Sequence, residues 1–177
     1  EELYKSIKSN ALILSPIPAG QVVSQAIRQF RQKYREVPVE VSGNQEELVL
    51  ADVQHLGEAV YNLLTNAHEA FLTSGKTEKE NLQIILHSER LYIGYEIRDN
   101  GNGIEEKERQ KIFYPFYTSK NTNNNWGMGL YYVREIVKGH FGMVKVESIP
   151  GSGTSFWMMI PRYEPRKGLN IKWKRAE

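Results

Sequence analysis

The segment from Asp52 to Gly75 constrains the fold most. It reads DVQHLGEAVYNLLTNAHEAFLTSG. Leu56, Val60, Leu63, Ala67 and Ala70 recur at steps of three and four, which predicts one buried stripe along a helix. Asp52 is a capping residue and Gly75 a stop signal, so the helix runs to about Ser74. A helix with one apolar stripe needs a second layer to cover it. Strand-like runs supply that layer. Leu82–His87 and Leu91–Arg98 predict a hairpin, and Met143–Ser148 and Thr154–Ile160 predict two more strands joined around Pro150-Gly151-Ser152-Gly153. Val37–Val41 and Glu47–Ala51 are shorter β-like runs joined by the turn signal Ser42-Gly43-Asn44. Further helices are predicted over residues 20–36, Glu105–Ile112 and Met128–Lys138, the last ended by Gly139. This order predicts an α/β domain in which one mixed sheet is covered on one face by helices.

The chain's 177 residues suit one domain with a sizeable core. Lysine plus arginine number 23 and aspartate plus glutamate 21, which gives no global case for nucleic-acid or membrane binding. Cysteine is absent, which excludes disulfides and thiolate metal sites. No apolar run is long enough to cross a bilayer, and no signal peptide is visible. The charged start, EELYKSIKSN, without an initiator Met, suggests a fragment of a longer protein. Residues 1–19 read as a lead-in, 20–162 as the folded domain and 163–177 as a basic tail.

Four patches carry candidate chemistry. On the long helix, Asn62, Asn66 and Glu69 recur at steps of four and three and share a face. Asparagine is a poor helix-interior residue, because its amide competes for backbone hydrogen bonds. Two of them one turn apart form either a solvated polar row or an amide site for phosphate-borne Mg²⁺. In the second patch Asp99 has the parity of Leu91, Ile93, Tyr95 and Ile97, which points it into the layer between sheet and helices. A buried carboxylate needs donors, and the exocyclic amine of adenine is one. Gly101 and Gly103 would let a flat ligand approach, although an Asn-Gly turn with a capping Asp gives the same letters. The third patch, IFYPFYTSK, sets Phe113 and Phe116 around Pro115 and ends in Lys120, a cation able to reach phosphate; a surface loop with an aromatic anchor reads the same way. The fourth places Gly127 and Gly129 before a helix, where backbone N–H groups bind phosphate or simply cap. Residues 121–125 are polar and turn-prone, as a flexible lid would be.

Taken together, in this order, the patches resemble the catalytic ATP-binding domain of sensor histidine kinases. That superfamily also holds gyrase, heat-shock chaperone and mismatch-repair ATPases. The asparagine box is NLLTNAHEA (Asn62–Ala70), the first glycine box DNGNGI (Asp99–Ile104) and the phenylalanine box FYPFYTSK (Phe113–Lys120). The second glycine box is WGMGL (Trp126–Leu130), and GSGTSF (Gly151–Phe156) closes the set. The resemblance covers roughly residues 20–162. It implies a Bergerat-type two-layer α/β sandwich, with a mixed, mostly antiparallel sheet, helices on one face and a flexible ATP lid.

The resemblance also implies roles. Asn66 would bind Mg²⁺, with Asn62 and Glu69 beside the phosphates, and Asn62, Asn66 and Lys120 would be the catalytic set. Asp99 would read adenine in a pocket shaped by Gly101, Gly103, Ile104, Phe116 and Thr154. Gly127, Met128, Gly129 and Leu130 would face the phosphates. Where ATPases of the superfamily carry a glutamate as base for water, this chain has Asn62, which cannot take a proton; transfer to another acceptor is therefore expected. The partners implied are a His-bearing dimerisation domain in a homodimeric full-length protein, and a response regulator. The implied location is cytoplasmic, in a protein that can be membrane-anchored elsewhere. Asn125 stands where a further glycine is common, and Trp126 where a small residue is common. The dipeptide His68-Glu69 is not the phosphoacceptor, because His68 lies about 200° around the helix from Asn66. Serine kinases of the anti-sigma-factor type share the asparagine and glycine boxes but not the phenylalanine box, and a degenerate nucleotide-binding module is the other alternative.

Overall fold

The long helix is α2 in a computed structural model that describes residues 11–117 and 127–165. Strand β1 (Ser15–Pro18) leads into helix α1 (Ala19–Lys33), and β2 (Glu40–Gly43) and β3 (Leu48–Ala51) precede α2 (Val53–Leu72). Next come β4 (Leu82–Ser88), β5 (Tyr92–Asp99), α3 (Gly129–Gly139), β6 (Met143–Ile149) and β7 (Gly153–Pro161). The main sheet has five strands in the order β2-β4-β5-β7-β6, parallel only between β2 and β4.

The helices lie on one face of that sheet because the alternation of the strands matches the stripes of the helices. Ile93, Tyr95 and Ile97 of β5 and Phe156, Met158 and Ile160 of β7 point into the same core. Facing them are Val22, Val23, Ala26 and Phe30 of α1, and Leu56, Val60, Leu63 and Ala67 of α2. Tyr132, Val133, Ile136 and Val137 of α3 complete it. Glu96 has the opposite parity and lies on the other face, yet it is only 1% exposed. It is satisfied there by Ser155 Oγ at 2.8 Å, by His87 Nε2 at 2.7 Å and by Arg98.

Three local expectations differ from the structure. The runs at 37–41 and 47–51 do not share a sheet: β2 joins the main sheet, whereas β3 pairs antiparallel with β1 in a separate two-stranded sheet. Among the described residues there are thus two sheets where the sequence suggested one. Glu105–Ile112 is a chain of turns and not an α-helix. Its bonds are mostly of the three-residue kind, such as Glu108 N to Glu105 O at 2.9 Å and Lys111 N to Glu108 O at 2.8 Å. A segment so short cannot repay helix nucleation on its own, and Arg109, donating to Ser148 O at 2.6 Å, anchors it in this form.

A polar clamp joins the start of α2 to the end of α3. Asp52 Oδ1 caps α2 by accepting from the N–H groups of Gln54 and His55, both at 3.1 Å. Its Oδ2 accepts from Ile13 N at 3.0 Å, and its own N–H donates to His140 Nε2 at 2.9 Å. Burial pushes the Asp52 carboxyl up, but the N–H groups of Ile13 and His55 outweigh it and hold the group below its ordinary range. His140 is 1% exposed, with Nδ1 donating to Ile136 O at 2.7 Å. Burial lowers its pKa, so the ring is neutral and uses both nitrogens. Asp52→Ala removes the cap and strands the Ile13 N–H. The expected loss of stability is about 2 kcal/mol, read as a lower urea midpoint with unchanged slope. A midpoint equal to that of the unsubstituted domain would remove the clamp from the account.

Candidate functional site

Asp99 is the last residue of β5, and strand parity carries it inward, where it is 9% exposed. Its Oδ1 accepts from Gly101 N at 2.8 Å. Burial pushes the carboxyl up to about 6. The N–H groups of Gly101 and Thr154 and the positive charge of Lys76 pull it back down, and Glu80 pushes it further up. The result is a carboxylate held inside the fold, able to accept from a ligand donor at neutral pH.

The turn after Asp99 lies directly on α2. A Cβ at Gly101 would meet the carbonyl carbon and Cβ of Ala70 at 2.9 Å, so no side chain fits between turn and helix. Gly103 has φ +71°, and a Cβ there would sit 2.3 Å from Ile149 O. Ile104 N then donates to Ser148 Oγ at 2.8 Å, and Ser148 Oγ lies 2.8 Å from Thr154 Oγ1. Thr154 pairs with Asp99 across the sheet and is buried, as its parity requires.

Helix α2 links this pocket to the start of α3. Asn62 Nδ2 donates to Glu58 O at 2.9 Å. Its Oδ1 lies on the side of α3, only 3.3 Å from where a Gly129 Cβ would stand. Tyr132 Oη, donating to Glu58 Oε2 at 2.7 Å, fastens α3 to α2 one turn away. The start of α3 therefore meets α2 at Asn62, and the Asp99 turn meets it at Ala70. Eight residues of α-helix separate those contacts by about 12 Å, with Asn66 midway, half-buried. Glu69 is half-buried beside Ala70. The Asp99 turn and the glycine-led start of α3 thus stand at the two ends of one amide-bearing helical face.

The phenylalanine segment is split. Phe113 packs edge-on against Phe156, with ring centroids 6.2 Å apart. Phe116 is 70% exposed and takes the left-handed φ of 64°. Met128, Gly129 and Leu130 form the first turn of α3 and are half-buried, and Gly127 abuts the backbone of Phe116 and Tyr117. Lys120, residues 121–125 and Trp126 lie outside the described residues. His68 faces away from the candidate site, against Phe30 and Tyr34, with Nδ1 2.9 Å from Glu80.

Two contributors escaped the sequence reading. Ser148 joins the Ile104 N–H, the Gly153 carbonyl and Thr154 in one small network. It shares parity with Val144 and Val146, and that alternation is the signal that could have found it. Lys76 reaches Asn100 O at 2.7 Å, and nothing in its local sequence announces the contact. Among the described residues no cluster of three or more His, Asp or Glu side chains could cage a metal ion. No helix among them is long and apolar enough to cross a membrane.

Comparison with known proteins identifies the family and the fold. Residues 51–164 match the family model described as histidine kinase-, DNA gyrase B- and HSP90-like ATPase. The chain is 27% identical over 159 residues to sensor protein RprX of Bacteroides fragilis, covering 85% of this chain and 30% of that protein. It is 32% identical over 118 residues to the signal transduction histidine-protein kinase AtoS of Escherichia coli, covering 67% and 18% respectively. With sensor histidine kinase ZraS of Salmonella typhimurium the identity is 28% over 163 residues, covering 90% and 34%. The chain therefore spans about a third or less of these relatives, and their remaining length lies outside the match. Among solved structures, the catalytic domain of histidine kinase ThkA superposes with a TM-score of 0.70 at 25% identity, over 85% of this chain and 96% of that one. Full-length ShkA in complex with AMPPNP shares the fold, with a TM-score of 0.71 at 22% identity, over 92% of this chain and 34% of that one. The chain belongs to the family of histidine kinase-, DNA gyrase B- and HSP90-like ATPases, with the fold of a histidine kinase catalytic domain.

Proposed function

We propose that this domain binds Mg-ATP and donates the γ-phosphoryl group to a histidine on a separate helical dimerisation domain, for relay to a response regulator. The observation that carries the reading is the buried Asp99 carboxylate at one end of the α2 face, with the glycine-led start of α3 at the other. Asp99 accepts from the exocyclic amine of adenine. Gly101 and Gly103 keep the pocket floor free of side chains, and Ile104 and Thr154 wall it. The N–H groups from Gly127 to Leu130 point at phosphate oxygens, helped by the positive end of the α3 dipole. Lys120 adds a cation at the phosphates.

The donor set suits Mg²⁺ of the phosphate-borne kind. Such an ion keeps most of its water and phosphate oxygens and needs one or two hard protein oxygens, not a cage. The Asn66 amide supplies one, and Glu69 stands one turn on. When bound, Mg²⁺ supplies positive charge against the charge that develops on the transferring group. Asn62 orients without accepting a proton, since an amide is no base at neutral pH. Water is therefore poorly activated, and an outside imidazole is the better acceptor.

Three outcomes follow. Asp99→Asn lowers ATP affinity at least tenfold, because a charge-assisted hydrogen bond contributes about 1.5–3 kcal/mol; equal affinity by calorimetry would reject the adenine role. ATP affinity declines as pH falls through about 6, where the Asp99 carboxylate gains a proton and stops accepting. The Asn variant loses that component of the pH profile; an identical profile in both proteins would contradict it. Labelled ATP, mixed with this domain and a His-bearing helical domain, gives acid-labile phosphohistidine, while the domain alone turns ATP over slowly. Acid-stable phosphoserine, or rapid phosphate release by the domain alone, would overturn the acceptor assignment.

A further inference from the structure

Lys76 sits in the loop that follows α2, three residues past the C-cap Thr73 and outside the sequence boxes, the nearest of which ends at Ala70. Its side chain is only 20% exposed. The ammonium donates to Asn100 O at 2.7 Å, in the first glycine turn, and to Ser152 O at 3.4 Å, in the β6–β7 turn. Glu78, 59% exposed and 3.5 Å away, is a weak third partner. The three turns interlock around these contacts. Gly151 N donates to Asn102 O at 2.7 Å, and Asn100 Oδ1 accepts from Asn81 N at 2.8 Å. Asn100 Nδ2 donates to Lys79 O at 3.0 Å.

We infer that Lys76 is a positioning residue for the nucleotide site: its ammonium ties together the three turns that wall the Asp99 pocket and places a positive charge behind the carboxylate. The inference rests on the reading of Asp99 as the adenine acceptor. A backbone carbonyl next to Asp99 is gripped by a cation, so the turn cannot drift off α2 without breaking a charge-assisted hydrogen bond. The same charge favours the ionised carboxylate, the form that accepts from an amine.

The other groups facing Asp99 are few. From the same loop comes the opposing negative charge of Glu80, itself held by His68 Nδ1 from α2 at 2.9 Å. From the first glycine turn comes the Gly101 N–H, and from β7 the Thr154 N–H. Helix α2 brings Ala70 against the Gly101 turn, with the titratable Glu69 next to it and Asn66 one turn back. Lys76 is thus the cation that offsets Glu80 in this pocket. Burial alone would leave Asp99 more protonated.

The test compares Lys76→Met, which removes charge and donors, with Lys76→Arg, which keeps both. Two readouts are needed. Carbon NMR of the Asp99 carboxyl in the nucleotide-free domain gives its titration midpoint, and calorimetry with ATP gives affinity against pH. Lys76→Met raises the midpoint by about half a unit or more and weakens ATP binding at pH 7 about threefold. Lys76→Arg restores both toward the original values. In an Asp99→Asn background Lys76→Met no longer changes the pH profile. An unchanged Asp99 midpoint in Lys76→Met overturns the proposal, as does Lys76→Arg behaving like Lys76→Met. Should Asp99→Asn itself bind ATP normally, the adenine reading falls and this inference with it. Should Asp99→Asn bind weakly while Lys76→Met matches the unsubstituted domain in both readouts, only the role of Lys76 falls.

Discussion

The contact between the end of β5 and helix α2 governs the rest of the structure. Gly101 lies against Ala70 with no room for a Cβ, and this brings the Asp99 carboxylate out of solvent. Burying a carboxylate is costly unless donors meet it. The fold supplies N–H groups from Gly101 and Thr154 and charge from Lys76, enough to keep the group titrating near 6 and not far higher. The pocket is therefore prepared but not fully compensated. In our reading, a ligand amine completes a set of partners that the protein alone leaves short.

Helix α2 serves two layers at once. One side, with Leu56, Val60, Leu63 and Ala67, fills the core against the sheet. The adjacent side carries Asn62 and Asn66 toward the candidate site. These roles depend on each other, since rotating α2 to move the asparagines would expose the stripe. Helix α3 is held in register by Tyr132 on Glu58 and by the clamp of Asp52, His140 and Ile13. Its first turn is thus fixed relative to Asn62. The clamp also connects the chain just before β1 to the C-terminal end of α3.

Much of this was legible without coordinates. Steps of three and four placed the stripe of α2, and period two placed Asp99 and Thr154 inside. Capping chemistry found both ends of α2. The errors have common causes. Glu105–Ile112 has helix-forming letters but is too short to outweigh the tertiary anchor at Arg109. The runs around 40 and 50 have strand letters, but local pattern says nothing about which neighbour a strand will pair with. His140, at the C-terminal cap of α3, is buried and neutral, and no local pattern marks this, because its acceptor nitrogen serves an N–H from a residue 88 positions away.

The sequence by itself determined the periodicities, the caps, the glycines that admit close approach and the order of the boxes. These depend on residues within a few positions of one another, where backbone geometry converts spacing into facing. Only the tertiary structure decided that two sheets form, that Ser148 reaches the first glycine turn, and that Lys76 grips Asn100. Those contacts join segments distant along the chain, and a lysine in a polar loop carries no local mark of the carbonyl it will meet. Their existence follows from how the layers stack, which one-dimensional spacing does not encode.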